Sequence, residues 1–177
     1  EASKYYVSKF YTGIKFDQTT ELIKNMHELN PSGHLVMNAL KMYNSSDCKT
    51  FYTLCKMMAG TIKKGDRLKV LGEKYSPEDP EDMSIKVATN LYLHQGRYYM
   101  PVREAYPGNW ILIEGIDQGI IKTATIVDGG LDVEDLRIFR PIRFTAPSFF
   151  KLAIEPLIPS DLPKMLDGLR KISKSYP

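Results

Sequence analysis

The side chains able to do chemistry in this chain are cationic and aromatic rather than nucleophilic. Arg97 follows Gly96 and precedes Tyr98 and Tyr99, so a guanidinium stands beside two rings. A cation neutralises phosphate without reading a base, and a flat ring stacks on any base, so this neighbourhood has what single-stranded RNA needs. Lys63 and Lys64 open the turn-like Lys63-Lys64-Gly65-Asp66, and Arg137, Arg140 and Arg143 recur nearby in the chain with regular spacing. Those two groups either touch phosphates or simply solvate a face. Trp110 leads the apolar run Ile111-Leu112-Ile113 and reads as core or interface packing, in the second case as a partner contact.

Catalysis finds no such cluster. The sequence contains no G-x-x-x-x-G-K-[ST] phosphate loop, no G-x-S-x-G and no H-E-x-x-H. The acidic run Glu78-Asp79-Pro80-Glu81-Asp82 lacks the alternating ligands and central glycine of a calcium loop and reads as a solvated loop. Carboxylate pairs such as Glu114 with Asp117, or Asp132 with Glu134, are expected by chance in a chain with 21 Asp and Glu and do not argue for acid/base work. His27, His34 and His94 are scattered, which argues against zinc, and Cys48 and Cys55 read as reduced packing residues. No catalytic residue, metal ligand or cofactor-binding residue is assigned.

Composition narrows the remaining classes. The 24 Lys and Arg exceed the acidic residues by only three, so any nucleic-acid contact must be local rather than a whole-surface field. With 43% hydrophobic and 25% charged residues, disorder, collagen-like and coiled-coil readings lose support. A chain of 177 residues holds one domain, or one domain and part of a second. No apolar run approaches the ~20 residues of a membrane-spanning helix, and no membrane partner is expected. The start at Glu1-Ala2-Ser3, without an initiator Met or an apolar signal region, leads us to expect a piece of a longer protein.

The elements that must position these residues are mostly short strands. Residues 1–32 read as a lead-in, with the aromatic patch Tyr5, Tyr6, Phe10 and Tyr11 followed by a short helix carrying Leu22, Ile23, Met26 and Leu29. Residues 33–145 show brief apolar runs cut by Gly, Pro, Asn and Asp, the rhythm of a sandwich or closed barrel. Strands are expected near 34–43, 50–58, 66–71, 84–94, 98–102, 109–116, 120–127 and 136–145, with turns at Lys63–Asp66 and Tyr106–Asn109. In residues 146–177, Phe149–Ile154 reads as a strand. Ser160 then caps a helix with Pro163 in its first turn and a stripe of Leu162, Met165, Leu166, Leu169 and Ile172. One strand and one helix cannot build a core, so this tail reads as the opening of a second α+β domain.

Particular motifs also carry a resemblance. Ala59-Gly60-Thr61-Ile62-Lys63-Lys64-Gly65-Asp66 followed by Leu68-Lys69-Val70-Leu71-Gly72 resembles the strand-turn-strand signature of the second domain of translation-type GTPases. Gly96-Arg97-Tyr98, Pro107-Gly108-Asn109, Gly115-Ile116-Asp117-Gln118 and Asp161-Leu162-Pro163-Lys164 resemble the branch of elongation factors 2 and G. Within it, Asn109-Trp110-Ile111-Leu112-Ile113-Glu114-Gly115, Lys122-Thr123-Ala124-Thr125-Ile126 and the ending Lys174-Ser175-Tyr176-Pro177 are similar to the elongation-factor-2-like GTPases of the U5 small nuclear ribonucleoprotein. Gly96 before Arg97 departs towards the elongation factors, and residues 1–32 match little beyond Tyr11-Thr12-Gly13.

The resemblance implies a mainly β fold, a domain II-type β-barrel followed by a truncated strand-helix start of the next domain. It implies a parent whose GTP and Mg are held by a domain outside these residues, with no cofactor in this chain. It also implies a nuclear, spliceosomal setting with U5 snRNA, the large U5 scaffold protein, the U5 helicase and the parent's own GTP-binding domain as partners. Lys63, Lys64, Arg97, Tyr98, Tyr99 and Trp110 are the expected RNA or partner contacts. Two alternatives stay open: the equivalent piece of elongation factor 2, acting on the ribosome, and a free-standing RNA-binding barrel.

Overall fold

The structure, a computed structural model, describes residues 1–15, 21–131, 136–143 and 149–176, and the side chains of Ile14 and Lys15 stand outside that description. Helices α1 (Ala2–Phe10) and α2 (Glu21–Glu28) come first, with a 3-10 turn at Thr12–Lys15. The strands follow as β1 (Val36–Asn44), β2 (Phe51–Ala59), β3 (Ile62–Lys63), β4 (Arg67–Leu71) and β5 (Met83–Val87). They continue as β6 (Asn90–Gln95), β7 (Tyr98–Val102), β8 (Glu104–Ala105), β9 (Trp110–Glu114) and β10 (Ala124–Asp128), and helix α3 (Leu162–Ser175) closes the chain. The fold is mainly β, as the domain II-type resemblance implies.

Eight strands hydrogen-bond antiparallel in the order β5-β4-β10-β1-β2-β9-β6-β7, and β3 pairs with β8. Strands β5 and β6 lie near opposite ends of that order, yet only Ala88 and Thr89 separate them in the chain. One bent stretch therefore ties the two ends together, and the sheet wraps around its own core. The bend is held by Ala88 N–H donating to Asp66 O (3.0 Å), Gly65 N–H to Ala88 O (2.8 Å) and Thr89 N–H to Glu114 O (2.9 Å). The single strand expected over 84–94 is thus two, because its halves must pair with different neighbours.

Burial explains the strand pattern. Strand β2 alternates along Phe51–Met57, with Phe51, Thr53, Cys55 and Met57 buried and Tyr52, Leu54 and Lys56 half-buried. The inward set joins Met37, Leu68, Val70, Leu91, Ile111, Ile113 and Ile126 in the first core. In β1, Val36, Met37, Asn38 and Ala39 are all buried because both faces are covered. The far face of that region carries a second core, in which Val7, Leu22, Ile23 and Met26 from the helices meet Val36, Met58, Leu71, Val127 and Phe139. Burying a side chain of this size contributes about 1.5–3 kcal/mol.

Several sequence expectations are corrected here. Tyr5, Tyr6 and Phe10 of the aromatic patch lie on a helix of their own, α1, with Tyr11 just past its end, so the described residues of 1–32 hold two α-helices rather than one. The strand expected over 136–145 is reduced to a single bridge, Phe139 with Tyr11, because this stretch laces the end of α1 instead of joining the sheet; Phe144 and Thr145 lie outside the described residues. The strand expected over Phe149–Ile154 is absent, since no neighbouring strand is there to share a ladder; Pro147, where this unit was expected to begin, lies outside the described residues. Asp161 rather than Ser160 precedes α3, after a 3-10 turn at Pro159–Asp161, with Pro163 in the first turn as expected. The stripe Leu162, Leu166, Leu169 and Ile172 is 41–57% exposed, while Lys174 fastens the end of α3 by donating to Asp117 O (3.2 Å). Among the described residues, no helix is long and apolar enough to cross a membrane.

Candidate nucleic-acid interface

The hairpin β6–β7 positions the first group of expected contacts. Gln95 pairs with Tyr98, leaving Gly96-Arg97 as a two-residue loop. Gly96 has φ 60°, the positive region that such tight loops demand at their first position. Arg97 therefore stands exposed at the tip, with Tyr98 74% exposed beside it.

Tyr99 pairs with His94 across this hairpin and belongs to a row of rings that sequence reading missed. The His94 ring lies 5.0 Å from Tyr43 at 29°, close to stacked, and 5.6 Å from Tyr99. Tyr52 then meets Tyr99 and Tyr92 edge-on, each at 5.5 Å. Edge-to-face and offset ring pairs are the favoured aromatic geometries, so the row is mutually supported. Tyr43 and Tyr52 are cross-strand partners of β1 and β2, which is why residues distant in the chain converge. The only sequence signal was aromatic residues alternating with core residues on strands whose pairing was not yet known.

Charge frames the row at both ends. Lys41 Nζ stands 5.2 Å over the Tyr43 ring. Arg97 is two residues from Tyr99. At the Tyr92 end, Glu114 accepts from Asn90 Nδ2 (2.9 Å) and from the Tyr92 hydroxyl (3.2 Å). Burial, then the Glu114 carboxylate, raises the Tyr52 and Tyr92 hydroxyls above their usual range, so both stay neutral donors. The row also has a packing role. Leu112 alternates outward from the first core but is fully buried, flanked in register by Leu54 and Tyr92.

The remaining expected contacts lie elsewhere. Trp110 is 44% exposed, correcting the core reading: in an alternating strand its neighbour Ile111 takes the inward position. Its ring lies 5.7 Å from Lys56 Nζ, which also stands 3.9 Å over the Tyr6 ring. Partial burial lowers the Lys56 pKa, and the two rings offer the ammonium a compensating cation–π environment. Lys63 and Lys64 sit where β3 pairs with β8, Lys63 opposite Glu104, with Asp66 Oδ2 accepting from Lys63 N–H at 2.7 Å. Cys55 is buried as expected, and burial pushes its thiol well above the ordinary range. Cys48 is exposed with φ 56° in the β1–β2 loop, so it is not a packing residue. Asp132 and Glu134 lie outside the described residues, and among those described no three His, Cys, Asp or Glu could hold a metal.

Comparison with known proteins gives the site its context. No family model matches the chain. It is 48% identical over all 177 residues to the 109 kDa U5 small nuclear ribonucleoprotein component GFL of Arabidopsis thaliana, and equally to the 110 kDa component CLO of the same plant. Its identity to the pre-mRNA-splicing factor cwf10 of Schizosaccharomyces pombe is 47% over 146 residues, 82% of this chain and 15% of that protein. With 48% identity running its whole length, the chain belongs to the family of these U5 small nuclear ribonucleoprotein components and spans 18% of the length of the two plant relatives.

Proposed function

We propose that this chain is a non-catalytic β-barrel module of an elongation-factor-2-like U5 GTPase acting in nuclear pre-mRNA splicing, and that its aromatic row contacts RNA. The observation that carries the splicing role is the whole-chain likeness to two U5 components, with a splicing factor third. The RNA contact is supported by geometry. Five rings, Tyr43, His94, Tyr99, Tyr52 and Tyr92, form a platform with Lys41 over its Tyr43 end and Arg97 two residues along the chain from Tyr99, while the Glu114 carboxylate closes the Tyr92 end. Rings supply sequence-tolerant stacking of about 1–3 kcal/mol per base, and the cations hold the backbone.

GTP and Mg would be held by a domain outside these residues, because the sequence here has no phosphate loop. The module's part would be to respond to that domain's state and to brace contacts with U5 snRNA, the large scaffold protein and the helicase. Sequencing RNA cross-linked to the full-length protein in its own cells tests the reading. U5 snRNA and intron-containing transcripts are expected, with yield reduced about 10-fold or more by Tyr52→Ala with Tyr99→Ala. Ribosomal RNA in their place would overturn the splicing role, and unchanged yield in the double variant would overturn the platform.

A further inference from the structure

A second surface, away from the ring row, has different chemistry. Between α1, β1 and the stretch 138–143 lies a groove of about 1020 Å³. Its walls are fixed by the chain around it. Arg140 N–H donates to Phe10 O (2.8 Å), and Thr12 binds Ile138 O through both its N–H (3.1 Å) and its hydroxyl (2.7 Å). Phe10, Leu40 and Ile142 supply an apolar lining, with Phe10 38% and Ile142 44% exposed.

The charged side chains among the groove's described lining residues have one sign. Among the described residues, Lys9, Arg140 and Arg143 line the groove, no carboxylate does, and none of the three forms an ion pair. Leu40 and Ile142 also border a smaller hollow of about 90 Å³ that adds Lys41, Lys122 and Lys174. Its one carboxylate, Glu73, is already engaged at Oε1 by the Thr123 N–H (2.9 Å) and hydroxyl (2.8 Å). An apolar floor between cations calls for an anionic ligand with apolar side chains.

The geometry points to an acidic peptide segment of a partner protein, its apolar side chains seated on Phe10, Leu40 and Ile142 and its carboxylates on Arg140 and Arg143. RNA fits this groove less well. Of the two rings among its described lining residues, Tyr6 is covered by Lys56 at 3.9 Å, which leaves Phe10 alone and no succession of rings for successive bases. Guanidinium forks match carboxylates in two parallel hydrogen bonds, and aliphatic walls take aliphatic or aromatic side chains. The groove itself shares no lining residue with the ring row, only the adjoining hollow's Lys41 touching both, and the proposal survives if the row does not bind RNA.

The test places a photo-cross-linking phenylalanine analogue at Ile142 in the full-length protein within its purified ribonucleoprotein, and identifies the adduct by mass spectrometry. The expected adduct is a peptide of another polypeptide, rich in Asp and Glu with interspersed apolar residues. Its yield should fall about 10-fold or more in Arg140→Glu with Arg143→Glu, and by clearly less in Arg140→Lys with Arg143→Lys, which keeps the charge but loses the fork. Arg143→Glu alone should lower the yield in the same direction if the double reversal fails to assemble. An adduct to the same polypeptide, to RNA, or to a neutral or basic peptide overturns the proposal. So does the absence of an adduct, or a yield indifferent to charge reversal.

Discussion

Replacing Gly115 with Ala attacks the point where the sheet closes. Gly115 follows β9 with φ 93°, and a Cβ there would come within 2.7 Å of the Val87 carbonyl oxygen and 2.9 Å of the Thr89 side chain. Val87 ends β5 and Thr89 belongs to the bend that joins it to β6, so neither moves without loosening the closure. The positive φ alone costs on the order of 1–2 kcal/mol for a residue with a Cβ. Forcing an atom into packed space adds about 1–3 kcal/mol. The sum is about 2–5 kcal/mol, and about 2–4 °C per kcal/mol for a chain of this size predicts a fall in Tm of about 4–20 °C. Gly96→Ala is the internal control: it also sits at positive φ, 60°, but its Cβ would meet nothing within 4 Å. It should show the strain alone, about 1–2 kcal/mol. Thermal melting followed by circular dichroism reads both variants. A Tm for Gly115→Ala equal to the parent's, or no lower than that of Gly96→Ala, would refute the closure at Ala88–Thr89. Because β6 leaves that bend carrying Tyr92 and His94, the same variant should also disturb the ring row.

Two further outcomes follow from burial. Trp110→Ala should cost about 2 kcal/mol by chemical denaturation, rather than the roughly 3–5 of a fully buried ring, because Trp110 is 44% exposed and mainly loses its contact with Lys56; a loss above about 4 would return Trp110 to the core. His27 has a buried Nε2 without a hydrogen-bond partner, and desolvation, then Lys4, lowers its pKa below the ordinary 6.5. A lowered folded pKa means that the stability is whole above about 6.5 and is lost as pH falls from there through the folded value. His27→Gln should therefore flatten the Tm profile between pH 7 and pH 5, and a profile of unchanged slope would show that other groups carry it.

Much of the fold was legible in local pattern. The alternation in Phe51–Met57 and the apolar runs at Leu68–Leu71, Ile111–Ile113 and Ala124–Val127 give strands because period-two burial needs only the chain itself. The turn at Lys63–Asp66 was equally local, since a positive φ, 94° at Gly65, selects glycine wherever it occurs. Arg97, Tyr98 and Tyr99 could be singled out for the same reason. The failures lie where an element needs a distant partner. Phe149–Ile154 has strand composition but no ladder to join, and residues 136–143 lace α1 instead of pairing with the sheet. Trp110 led an apolar run, but its inward or outward aim depended on register with Lys56.

Residue types and spacing were sufficient for the β class and the absence of a phosphate loop, and motif resemblance pointed to the family, because composition, short motifs and turn chemistry are properties of neighbours along the chain. The ring row and the basic groove arise from contacts between strands and helices far apart in sequence. Tyr43 reaches His94 only because the sheet curls, and Arg140 faces Lys9 only because Phe139 bridges to Tyr11. A side chain's chemistry is local, but what it faces is set by long-range pairing and by which surfaces must leave water together.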